Sequence, residues 1–376
     1  MSTSTHSITG RHWQTGDWIR VEFDKKQIVR VEPHEPEKTD EQWLAPGLLD
    51  LQINGYAGID FQQPKISGED LVTACKALTR DGCPRFFLTL ITSPWTDMMR
   101  RLKHIKALRD SDPYLCDSIV GWHIEGPFLS DEPGYCGAHD VSSMEDPTPE
   151  KIRELRAITV ADPTLLTMAP ERNASIPVIN EAKKLGICVS LGHTNADGAT
   201  LLRAANAGAS GFTHLGNACP QQLDRHDNLV FRALDSGDSV TGIIPDGIHV
   251  SPTLFRLFHK LIPNDHIYYT SDAMSAAGAV PGRYKIGSIE LEVGTDQVVR
   301  QPDQSNFAGS ALKPCEGIIR AANMLNLTWR DVWQHYSVIP AHWMQLPTGL
   351  TSGAPSQFCI LKESGNNSLN IQVNQP

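Results

Sequence analysis

The sequence predicts an α/β fold, a (β/α)8 barrel of the TIM type with a small flanking β-sandwich formed by the N- and C-terminal segments. Three observations carry this. Eight short apolar runs alternate with stretches of 3.6-residue periodicity, the pattern of βα units feeding a parallel sheet. Both ends of the chain are strand-like, and no helical pattern precedes Pro46. The 376 residues, 40% of them hydrophobic, suffice for a large barrel with a substantial core.

Near the start, "WIRVEFDKKQIVRVEP" places two β-rich runs around a polar Asp24-Lys25-Lys26 turn, a hairpin signal. The eight barrel runs follow: "LLDLQING" (48–55), "CPRFFLTLIT" (83–92), "SIVGWHIEGP" (118–127), "TLLTMAPE" (164–171), "ICVSLGHT" (187–194), "GFTHLGN" (211–217), "VTGIIPDGIH" (240–249) and "HIYYTSDAMS" (266–275). Between them lie helical stretches such as "EDLVTACKALTRDG", "TPEKIRELRAI", "VINEAKKLG", "GATLLRAANAG" and "SPTLFRLFHKLI". After the eighth run, "RYKIGSIELEVGTDQVVRQ" reads as an inserted hairpin near 283–301. Two helices follow, "ALKPCEGIIRAANML" and "WRDVWQHYS", and then the strand-like tail "QFCILKESGNNSLNIQV". The expected division is 1–44 and 346–376 for the terminal β unit and 45–345 for the barrel.

Net charge is −10, and no run of lysines and arginines stands out, which argues against a general nucleic-acid binder or a membrane-surface protein. A local arginine still leaves room for a small anionic substrate. The N-terminal stretch has neither a basic nor an apolar signal region, and no stretch approaches eighteen apolar residues, so a cytoplasmic protein is expected. The eight cysteines include no Cys-x-x-Cys pair, as expected of reduced thiols.

In such a barrel the chemistry sits where strands end and βα loops begin. The ends of the runs offer Gln52 and Asn54, then Glu125, His193, His214, His249 and Asp272. Alone, each has a bland explanation as a cap or turn residue; their convergence on one mouth argues for a site. Two imidazoles and a carboxylate are a catalytic zinc set with a fourth position left for water, and Zn²⁺ lowers the pKa of that water from 15.7 to roughly 7. Glu125, His193 and His214 are the expected ligands. His123 shares the strand face of Glu125 but lies a step deeper, and reads as a packing or supporting residue. Asp272 is the expected general base and acid.

"APGLLDLQINGYAGIDF", "HIEGPFL", "GAHD", "LGHTNAD", "THLGNACP", "DGIHV", "TSDAMSAAG" and "FAGSAL" resemble, in order, the motifs of the N-acetylglucosamine-6-phosphate deacetylases of the amidohydrolase superfamily. The resemblance runs from about residue 45 to 315. It implies metal-dependent removal of the acetyl group from an N-acetylated amino-sugar phosphate, one divalent ion (Zn²⁺) on Glu125, His193 and His214, and Asp272 as acid/base. It further implies substrate contacts from Ala138, His139, Asn217, Ala218, Arg225, His249, Phe307, Ala308 and Gly309, and a homodimer. An arginine and backbone N–H groups suit a phosphate, and His249 suits the amide carbonyl as its oxygen gains charge.

This chain also departs from the pattern. Gln52 and Asn54 stand where many amidohydrolases carry His-x-His and hold two metals; neutral amides bind such ions poorly, so one metal is expected. Gly216, Cys219 and "DRHDN" replace more usual residues around the expected phosphate and sugar site, and "GAPSQFCIL" lacks an Asp before the last strand. Two other readings fit the same residues: a deacetylase for N-acetylgalactosamine 6-phosphate or an N-acyl amino acid, and a catalytically silent sugar-phosphate sensor. Retention of Glu125, His193, His214 and Asp272 together speaks against the sensor.

Overall fold

The structure, a computed structural model, describes residues 5–35, 41–301, 308–364 and 369–375. Eight parallel strands form its centre: Leu49–Ile53, Arg85–Ile91, Ile119–Glu125, Thr164–Met168, Cys188–Leu191, Ala209–Phe212, Val240–Ile243 and Ile267–Tyr269. Each pairs with its sequence neighbour, and each lies in or at the edge of one of the eight apolar runs. The strands are buried on both faces, which is why they read as continuous apolar runs and not as alternation.

The gap between strands eight and one carries no ladder. It is closed by a single bridge, Ile53 to Ala273, and by the Asn54 N–H donating to the Ala273 carbonyl at 2.7 Å. Below it the fully buried Asp50 carboxylate accepts from the Thr270 hydroxyl, the Ser271 N–H and hydroxyl, and the Tyr336 hydroxyl, at 2.5 to 2.8 Å. A buried carboxylate is tolerated only when so saturated with donors, and here the donors are what tie strand eight to strand one.

Helices cover the outside and start where local chemistry dictates. Ser67 caps Gly68–Arg80 in a capping box with Asp70, and Thr148, Asp197 and Ser251 cap Pro149–Thr159, Gly198–Ala207 and Pro252–Leu261. The floor of the barrel is closed by Val338–Trp343 and the Met344 that follows it: Ile339, Ala341 and Met344 pack with Leu49, Leu51, Phe87, Leu165 and Tyr268 from the strands.

The terminal segments join in one six-stranded sheet, in the order Leu369–Val373, Phe358–Glu363, Gln42–Pro46, His6–His12, Trp18–Phe23, Ile28–Pro33. Its hairpin turns at Asp24, whose Oδ1 accepts the Lys26 and Gln27 N–H groups. The insert after the eighth strand is a hairpin, Gly282–Ile286 with Ile289–Val293, extended by Val299–Arg300. Among the described residues no helix is long and apolar enough to cross a membrane.

Candidate metal centre and active site

Glu125 ends strand three, and His193 and His214 follow strands five and six by two residues. One ligand atom from each lies within 4.8 Å of the other two, and all three side chains are buried. Glu125 Oε1 is 2.9 Å from His214 Nε2 and 3.3 Å from His193 Nε2. His193 Nδ1 points to the Tyr135 carbonyl at 3.1 Å; a proton held there leaves Nε2 bare, the state that ligates a metal. This donor set of two imidazoles and one carboxylate therefore fits a divalent ion.

Electrostatics agree with a site built around a carboxylate. Burial alone would raise the Glu125 carboxyl, but the adjoining imidazoles of His193 and His214 outweigh it and hold it well below the usual range. Burial would lower His214, yet the Glu125 bond and charge raise it. Asp272 is the opposite case: burial first, then the Glu125 charge, push it up to about 7 against the pull of His214, His249 and the Asn54 bond.

The two amides of strand one face these two carboxyl groups. Gln52 Nε2 donates to Glu125 Oε1 at 3.0 Å, and Asn54 Nδ2 donates to Asp272 Oδ1 at 2.7 Å. The other atom of each amide, Gln52 Oε1 and Asn54 Oδ1, is buried without a partner. Strand one thus aims neutral N–H donors at both carboxyl groups.

Backbone conformation also marks the site. His193, His214 and Asp272 have φ of 50°, 32° and 51°, in the left-handed region that side chains other than glycine's rarely adopt. Gly137 at φ 58° answers a steric need, since a Cβ there would stand 2.9 Å from His193 Cε1.

A cavity of about 510 Å³ opens above the triad, lined by Glu125, His193, His214, Asp272, His249, His139 and Asn54 together with Ala138, Asn217, Ala218, Ala308 and Gly309. His139 Nδ1 meets Thr92 Oγ1 at 2.8 Å, its Nε2 stands 3.8 Å from Glu125 Oε2, and burial lowers its pKa to about 3. His249 Nδ1 lies 2.6 Å from Asp246 Oδ2, and burial-driven elevation of that carboxyl is outweighed by His249. His123 does not reach the cavity; it is turned to Thr167.

Two residues from the motifs stand apart. Arg225 is exposed and does not line the cavity, and Phe307 lies outside the described residues. No lysine or arginine is among the described cavity-lining residues. A wider groove of about 1330 Å³ adjoins the cavity at Ile91, Ala138, His139, Ile286 and Ile289, and it carries Arg101, Arg283 and Lys285. The supporting partners Thr92, Tyr135 and Asp246 were not singled out from sequence. Of these only Asp246, three residues before His249 in "DGIH", had a local signal, that of an Asp able to turn back on a nearby donor.

No protein-family model matches the chain. An N-acetylglucosamine-6-phosphate deacetylase from Bos taurus is 31% identical over 335 residues, covering 85% of this chain and 80% of the relative. The chain belongs to the N-acetylglucosamine-6-phosphate deacetylase family. Within reach of that family lies an N-acetylgalactosamine-6-phosphate deacetylase from Shewanella sp. ANA-3, 30% identical over 305 residues, covering 81% of this chain and 75% of the relative. The N-acetylglucosamine-6-phosphate deacetylase fold is shared as well: a mutant of the Mycobacterium smegmatis enzyme, in complex with N-acetyl-D-glucosamine 6-phosphate, superposes with a TM-score of 0.86 at 24% identity over 96% of both chains.

Proposed function

We propose that this chain hydrolyses the amide of N-acetylglucosamine 6-phosphate, giving glucosamine 6-phosphate and acetate, with one Zn²⁺ on Glu125, His193 and His214. The observation that carries the reading is the convergence of that triad with the Asp272 carboxyl in one cavity, in a chain of this family. Such an ion, when bound, acidifies water and polarises a carbonyl.

The residues of the chain do the rest. Asp272, at a pKa of about 7, takes a proton from the attacking water and returns it to the leaving amine. Asn54 holds Oδ1 of that carboxyl by its amide N–H. The Asp246 carboxylate holds His249 by its Nδ1 and orients the ring in the cavity, where it serves the amide carbonyl as its oxygen gains charge. His139, Asn217, Ala218, Ala308 and Gly309 line the space for the sugar, and Phe307 belongs with the last two in "FAGS". Arg225, exposed on its own chain, serves the phosphate in the cavity of a partner subunit within a cytoplasmic homodimer.

The similarity to an N-acetylgalactosamine-6-phosphate deacetylase favours the epimer as a second reading, and the Gly216 and Cys219 substitutions lie on the same loop as Asn217. The test is acetate release from the two N-acetylhexosamine 6-phosphates and their unphosphorylated forms, by metal-stripped and Zn²⁺-reloaded protein. Release from N-acetylglucosamine 6-phosphate only after reloading supports the first reading. Preference for the galacto epimer supports the second, and metal-independent release refutes both.

A further inference from the structure

Under the metal triad, four strands are joined by a chain of buried polar side chains that the proposed chemistry does not use. His123 Nε2 meets Thr167 Oγ1 at 2.8 Å, Thr167 Oγ1 meets Thr213 Oγ1 at 2.7 Å, and the Thr213 hydroxyl donates to Ser190 Oγ at 2.7 Å. All four residues are at most 2% exposed. Each hydroxyl has one proton to give, so the last bond fixes the rest. Thr213 spends its proton on Ser190, Thr167 donates to Thr213, and His123 Nε2–H donates to Thr167. His123 Nδ1 is then the bare nitrogen, in keeping with its having no hydrogen-bond partner.

The chain is placed against the ligands through the backbone. His123 is two residues before Glu125 on the same strand, Thr213 immediately precedes His214, and Ser190 is three residues before His193. Thr167 is the register partner of Glu125, and its carbonyl accepts the Gly126 N–H at 3.1 Å. Gly192, the residue before His193, packs into the chain: a Cβ there would stand 3.0 Å from Thr167 Cγ2 and 3.1 Å from Thr213 Cβ. Strand four supplies no ligand, yet its Thr167 touches the supports of all three.

We infer that Thr167 is a positioning residue for the metal centre, fixing through its hydroxyl and register the relative placement of Glu125, His193 and His214. The inference rests on the reading that this triad binds a metal. Thr167→Val keeps the shape of the side chain and removes both of its hydrogen bonds, leaving His123 Nε2–H unpaired and Thr213 Oγ1 with its bond to Ser190 alone in a dry core. Thr167→Ser restores the hydroxyl.

The experiment is the Zn²⁺ dissociation constant of the folded, metal-stripped full chain, measured by competition with a chromophoric chelator, with the midpoint of thermal unfolding of the stripped protein alongside. Thr167→Val is expected to weaken Zn²⁺ by roughly 10- to 100-fold, the range typical of lost outer partners of a metal site, and Thr167→Ser to bind within about threefold of wild type. A purely structural role would lower the unfolding midpoint and leave the affinity of the folded protein alone; that result overturns the inference. Wild type that binds no Zn²⁺ overturns the metal reading itself and the inference with it. Should Thr167→Val fail to fold, Thr167→Ala removes the same two hydrogen bonds with a smaller side chain, and unchanged Zn²⁺ affinity there overturns the inference equally.

Discussion

Asn54 and Asp272, 218 positions apart in the chain, are joined by a 2.7 Å hydrogen bond from the amide Nδ2 to the carboxyl Oδ1. The bond dedicates one carboxyl oxygen to the protein and leaves the other for the reaction. It also puts a neutral donor, and no cation, beside the group proposed to carry the proton.

Asp272→Asn removes the base while keeping size and the capacity to hydrogen bond. Turnover is expected to fall by roughly two to four orders of magnitude, with the metal content of the purified protein unchanged. Near wild-type turnover in metal-replete Asp272→Asn eliminates the acid/base role.

Restoring imidazoles at strand one tests the one-metal reading. Gln52→His with Asn54→His replaces the donors now spent on Glu125 Oε1 and Asp272 Oδ1 with potential ligands. The double variant is expected to take up to one further equivalent of metal, measured by elemental analysis after equilibrium dialysis, while wild type holds one. Two equivalents in wild type would mean that the amides are no obstacle. Activity is expected to drop in the variant, since a second cation lowers the pKa of Asp272.

Arg225→Ala is expected to raise KM for the phosphorylated substrate by roughly tenfold or more, the scale of a charge-assisted hydrogen bond, and to leave the unphosphorylated sugar nearly unaffected. Equal losses on both substrates count against a phosphate role. If Arg101→Ala produces the selective loss and Arg225→Ala does not, the phosphate lies in the adjoining groove.

The remaining prediction concerns pH and stability away from the site. His335 is buried, holds the Ile267 carbonyl through Nδ1 at 2.8 Å, and has its pKa lowered by burial to about 4. In the unfolded chain it titrates near 6.5. Between those values the unfolded state binds the extra proton, so stability is intact above about pH 6.5, falls as pH drops toward 4, and levels off below. The full effect is on the order of 3 kcal/mol. Urea unfolding at several pH values should therefore give a shallower acid slope for His335→Asn than for wild type; parallel slopes would remove His335 from the account.

The sequence alone determined the periodic features. Eight apolar runs with helices between them, the strand-like termini and the Asp24 hairpin all depend on residues a few positions apart, where burial on both faces or a tight turn leaves a local signature. It also gathered Glu125, His193, His214, His249 and Asp272 at the ends of apolar runs, because parallel βα units put every such end on one rim, although the strands themselves stop short of His249 and Asp272. Tertiary structure decided what those residues touch. Nothing near Asp50 announces that its carboxylate will close the barrel with Thr270, Ser271 and Tyr336. Nothing local announces that Gln52 and Asn54 will each face a carboxyl, or that His193, His214 and Asp272 will sit at positive φ. Nor does "DRHDN" disclose that Arg225 stays outside the cavity of its own chain. The reason is physical: periodicity is set by neighbours in sequence, whereas hydrogen-bond pairing and backbone strain are imposed by whichever distant strand the closed barrel brings alongside.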